Sequence, residues 1–196
     1  MFPRGRIVGR VVAAEVASSG ETLCHAGHRP STEKRGIMPV RPGIEHVVLK
    51  VRALDPSVAF YCRVFGYDER VERFGADRSQ AFLSVPGSPH HHDLSLLQIR
   101  GDAVSPPRGS VGLFHFAVEV DTIEDLVEVK QRLEAEGAFT DQYDTGATAS
   151  IYGRDLDGNR FEVLWNRPRE AWGAYEHEAA ARPLDLDAEL ARWGRR

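Results

Sequence analysis

Short β-rich runs and amphipathic helical stretches alternate along most of this chain. Ile44 to Val51 (IEHVVLKV) is short and rich in β-branched residues, which predicts a strand. Asp55-Pro56 follows, read as an N-cap and an N1 proline. Val58, Tyr61, Val64 and Phe65 then share one helical face, and Gly66 ends the helix. Further strands are predicted between Tyr67 and Phe74, over Ser79 to Val85, and over Asp93 to Arg100. A loop rich in Gly, Ser and Pro (Gly101 to Gly109) interrupts the series, and the same order then returns. Gly112 to Val120 (GLFHFAVEV) reads as a strand. Asp121 is placed to cap a helix, with Glu124 as its capping-box partner. Ile123, Leu126, Val127, Val129 and Leu133 give that helix an apolar stripe, and Gly137 closes it. Strands near Phe139 to Tyr143, Ala149 to Arg154 and Arg160 to Asn166 complete the second series. The turn Asp155 to Asn159 joins the last two.

The order β-α-β-β-β therefore occurs twice, over 44–100 and 112–166, with His46 and His115 each the third residue of matching segments, IEH and LFH. Each half leaves a sheet face to be covered. The expected fold is α+β: paired βαβββ modules forming an incomplete barrel around a metal cleft. Residues 1–43 lean basic, lack periodicity and are expected to be a disordered extension. The segment 167–196 carries Trp172, Tyr175, Leu184, Leu186, Leu190 and Trp193 among many charges. It is expected to form short amphipathic helices packed on the domain or on a second subunit.

Composition narrows the functional classes. A chain of 196 residues with 42% hydrophobic and 28% charged residues holds one ordinary domain. The net charge of −4, with both signs interspersed, offers no basic field for nucleic acid. No apolar run approaches bilayer-spanning length, so no membrane partner is expected. Cys24 and Cys62 make neither a metal-binding nor a redox spacing, and a cytoplasmic setting is the natural reading.

Candidate chemistry falls on three residues. Strand alternation puts His46 on one face with Ile44 and Val48, leaving Val47, Leu49 and Val51 for the helix-packed side. Glu162 interrupts an apolar strand between Phe161 and Val163, where an unpartnered carboxylate would cost several kcal/mol. Metal coordination supplies the compensation. Two imidazoles and a carboxylate with open positions suit non-haem Fe(II), and Mn(II) or Zn(II) can also be held by such a set.

Residues 44–166 resemble the vicinal-oxygen-chelate superfamily, which includes glyoxalase I, fosfomycin and bleomycin resistance proteins and extradiol dioxygenases. The resemblance rests on the two strand-helix openings with His46 and His115, and on IYGRDLDGNRFEVLW ending around Glu162. Two positions incline it toward proteins similar to catechol 2,3-dioxygenase. His92, in HHHDLSLL, stands where that group places a catalytic histidine, and Tyr152 precedes Glu162 by the spacing of its active-site tyrosine. Tyr143 is a departure, since a second active-site histidine is expected there. His90 and His91 read as bystanders. The resemblance implies an Fe(II)-dependent extradiol dioxygenase acting on a small catechol-like aromatic and O2, and a homodimer. The alternatives are a metal-dependent isomerase, epimerase or thiol transferase of the glyoxalase or fosfomycin-resistance type, and a non-catalytic protein that binds an aromatic compound.

Overall fold

The structure is a computed structural model that describes residues 43–74, 79–107 and 109–195. The N-terminal extension, apart from Gly43, lies outside the described residues, as does Cys24. β1 (Val47–Val51) is followed by α1 (Leu54–Phe65), β2 (Asp68–Phe74), β3 (Gln80–Ser84) and β4 (Leu94–Gln98). The second half repeats this with β5 (Phe116–Val120), α2 (Ile123–Ala135), β6 (Phe139–Asp144), β7 (Thr148–Arg154) and β8 (Arg160–Asn166). One sheet runs β1-β4-β3-β2 and the other β5-β8-β7-β6, with a short added strand β9 (Arg182–Pro183) on its outer edge. In both sheets the first and last strands of the half pair in parallel and the rest antiparallel. The α+β class and the doubled βαβββ order stand as expected, and no closed barrel forms from the two sheets.

Each helix covers one face of its sheet. Val58, Tyr61 and Val64 of α1 and Ile123, Leu126, Val129 and Leu133 of α2 are buried, while Phe65 and Val127 of the predicted stripes are partly buried against them. Their beginnings differ from the sequence reading. α1 starts at Leu54 after Ala53, so Asp55 sits inside the first turn as a charge favourable to the helix dipole rather than as the cap. In α2 the capping box is Thr122 with Asp125, one residue later than read, each side chain accepting the other's backbone N–H at 3.1 Å. Gly66 adopts a left-handed φ of 72° and returns its N–H to the Cys62 carbonyl, closing α1.

The halves are joined by side chains as well as by the 101–115 connection. Phe60 and Phe65 of α1 pack toward Phe161 of β8, and the Tyr61 hydroxyl donates to the Asp155 carboxylate at 3.0 Å. Arg52 binds Asp157 through its backbone and guanidinium while also holding Ser105 in the connection. Gly153 lies so close to Phe161 that a Cβ there would meet the ring at 2.6 Å. The tail packs on the second half. Its 3-10 turns (Arg169–Ala171, Gly173–Glu176) lead to β9 and then α3 (Leu186–Trp193), whose Trp193 ring lies 6.0 Å from that of Trp165.

Candidate metal centre

Both strand histidines lie just outside the hydrogen-bonded ladders. β1 begins pairing at Val47 with Leu94, and β5 at Phe116 with Phe161, so His46 and His115 occupy the residue before each ladder starts. They border one cleft of about 550 Å³ with Glu45, Val47, Leu113 and Phe116 on its walls. Burial along β1 follows the predicted alternation, with Leu49 and Val51 buried and Val48 exposed.

Glu162 stands in the middle of β8, 8% exposed, between the fully buried Phe161 and Val163. The β7–β8 register sets Tyr152 directly opposite it. The Tyr152 hydroxyl donates to Glu162 Oε1 at 2.9 Å, and His115 Nε2 lies 3.0 Å from Oε2. Burial, and then the Glu162 carboxylate, hold the Tyr152 phenol well above its usual range, so it keeps its proton. Tyr143 joins the same face, with its ring 5.8 Å from that of Tyr152.

His92 is placed by a different device. It sits in the loop before β4 rather than in a strand, and that loop is pinned by Asp93. The Asp93 carboxylate accepts from the Val85 N–H and the Ser88 hydroxyl, both at 2.8 Å, with Ser84 and His90 at 3.2 Å. Burial alone would raise its pKa, but these donors together hold it below the usual carboxylate range. Thus anchored, the loop sets the His92 ring 4.3 Å from that of His46 and 4.5 Å from that of Phe82. Burial, followed by the neighbouring His46 and His91, lowers the His92 pKa and favours its neutral form. His90 serves Asp93, and His91 Nδ1 contacts His92 Nδ1 at 3.0 Å.

The structure therefore brings the candidates together as two groups: His115, Glu162 and Tyr152 on the second sheet, and His46 with His92 on the first. Among the described residues no three His, Cys, Asp or Glu side chains converge closely enough to enclose an ion. The His115–Glu162 pair, at hydrogen-bonding distance, consists of two side-chain types that ligate metals. His115 Nδ1 is buried without a hydrogen-bond partner among the described residues, so nothing there competes to turn the ring away from Glu162.

Sequence reasoning missed Arg160. It lies 4.7 Å over the Tyr152 ring and 5.0 Å from the Phe114 ring, and it pairs with Asp141 at 3.0 Å. Its position two residues before Glu162 put it on the same face of β8, which was the available signal.

Residues 43–163 match the Glyoxalase/Bleomycin resistance protein/Dioxygenase superfamily. The chain belongs to this superfamily. Within it, the chain is 28% identical over 134 residues to catechol-2,3-dioxygenase of Bacillus subtilis (strain 168), a match covering 66% of this chain and 43% of that protein. The chain thus spans less than half the length of that relative. It is also 28% identical over 127 residues to a probable trivalent organoarsenical cleaving enzyme of the same organism, covering 62% of this chain and 79% of that one. A glyoxylase/bleomycin resistance protein/dioxygenase domain from Frankia sp. EAN1pec superposes with a TM-score of 0.55 at 26% identity, covering 66% of this chain and 96% of that one. No helix among the described residues is long and apolar enough to cross a membrane.

Proposed function

We propose that the chain is an Fe(II)-dependent extradiol dioxygenase that opens a small catechol-like aromatic with O2. The observation that carries this reading is the His115–Glu162 pair, held by Tyr152 at the edge of a cleft that His46 also borders. His46, His115 and Glu162 are the assigned ligands, a set suited to iron with positions left open for small molecules. Mn(II) or Zn(II) fits the same donors less specifically. Bound there, the metal supplies a template for the two oxygens of the ring and for dioxygen, and a route for electrons between them.

The chain's own residues do the remaining work. Tyr152 keeps its proton and fixes the Glu162 carboxylate, leaving Oε2 directed at His115. His92, held neutral beside His46, is placed to take a proton from a substrate hydroxyl and, once charged, to return it to an oxygen atom of the opening ring. Phe82 and Phe114 supply apolar surface beside His92 and His115 for a flat ring.

Arsenical cleavage is less well supported. Trivalent arsenic prefers soft thiolate donors. The cysteine in the described residues, Cys62, is on α1, packed against the core rather than on the cleft.

The test is oxygen uptake by protein reconstituted anaerobically with Fe(II), run against a panel of catechols. Uptake matched to ring-opened product, and absent from His92→Ala, is the expected result. Protein that demonstrably holds iron yet consumes no oxygen with any catechol would overturn the assignment.

A further inference from the structure

The β7–β8 register places Arg154 directly opposite Arg160, two residues along from the Tyr152–Glu162 pair and on the same face. Like charges directly opposed on a sheet destabilise it, so this pairing needs a compensating partner. Asp141 engages one terminal nitrogen of Arg160, and Arg154 donates to the Gly158 carbonyl at 2.8 Å. Arg160 Nε is buried and finds no hydrogen-bond partner among the described residues. With that N–H unbonded, the buried part of the guanidinium is short of acceptors, and a further negative group beside it is favoured.

Both arginines line a cavity of about 380 Å³ whose apolar wall is Pro106, Pro107, Leu113 and Phe114; Asp157 also lines it, its carboxylate paired with Arg52. Leu113 also lines the cleft shared by His46 and His115, so that one side chain borders both spaces. Two residues of strand separate the arginine row from Glu162, about 7 Å, which is comparable to the reach across one aromatic ring. The guanidinium lies over the Tyr152 and Phe114 rings and against Asp141.

We infer that Arg160, assisted by Arg154, forms an anion subsite, and that the substrate is an aromatic bearing a carboxylate or similar acidic group on the side of the ring remote from the metal-binding oxygens. The orientation of the ring rests on the dioxygenase reading. The anion subsite itself does not, because it is read by binding without turnover.

The experiment compares 3,4-dihydroxybenzoate with its methyl ester, by calorimetry, on full-length protein loaded with redox-inert Zn(II) and kept anaerobic. The acid is expected to bind the wild type at least tenfold more tightly than the ester. In Arg160→Gln the two should bind within about threefold of each other, with Arg160→Lys intermediate. Equal affinity of acid and ester for the wild type, or no binding of either, would overturn the subsite, and neither result depends on a variant folding. A preference for the acid together with no oxygen uptake by the iron-loaded protein would retain the subsite and remove the dioxygenase reading instead.

Discussion

Tyr152 and Glu162 show how much a single contact is asked to do. The phenol fixes one carboxylate oxygen so that the other faces His115. Removing that hydroxyl in Tyr152→Phe is expected to weaken metal affinity by about 10- to 100-fold, the usual range for losing a group that orients a ligand, as read by competition with a chelator. Unchanged affinity would mean that Tyr152 does not position Glu162. A second residue-scale case is structural. Arg167 is 7% exposed and holds Asp144, Glu189 and the carbonyls of Gly146 and Thr148. Arg167→Ala takes its cation from Glu189 and leaves Asp144 with Arg182 alone, and should cost about 3 kcal/mol in urea unfolding. The paired positions of His46 and His115 were legible in the sequence because the repeat marks them. Arg160 was not, because an arginine before an apolar strand reads as solvated until its neighbours Phe114, Tyr152 and Asp141 are known.

At the scale of elements, the hydrophobic pattern located every helix and strand of the two halves, and the differences concern their ends. Strand β1 starts later than Ile44 because a ladder needs a partner and β4 begins at Leu94, opposite Val47, while β5 starts later than Gly112 and pairs from Phe116 onward. Helix α2 starts one residue late because Thr122, rather than Asp121, can exchange hydrogen bonds with the residue three places on. Thr122→Ala should therefore cost about 1 kcal/mol, while Asp121→Ala should cost little, and comparing the two melting temperatures tests the cap. The docked tail has a pH signature. Burial would raise the Asp144 pKa, but the Gly146 N–H, Arg167 and Arg182 outweigh it and hold the carboxyl below its ordinary value. A depressed folded pKa contributes stability above the unfolded value and loses it as pH falls. Urea stability should thus drop below about pH 4, and less steeply in Asp144→Asn. A pH dependence identical in the two proteins would remove this account.

For the whole molecule, the doubling of βαβββ carried the fold, since two half-covered sheets must lean on each other. What the sequence could not convey is how the candidate groups divide between the sheets, because that depends on how closely the two edge strands β1 and β5 approach across the cleft. Ile44, Val48, Val104 and Val111 are exposed apolar side chains. The homodimer implied by the resemblance predicts a sedimenting species of twice the chain mass, and a monomer at all concentrations would contradict it. The central claim is that one ion is shared by both halves through His46, His115 and Glu162. Anaerobic titration of metal-free protein with Fe(II) tests it directly, alongside His46→Ala, His115→Ala and Glu162→Ala. The wild type is expected to bind one tight equivalent per chain, and each variant to lose it. A wild type that binds no iron, or a His46→Ala protein that binds it undiminished, would contradict a centre built from both repeats.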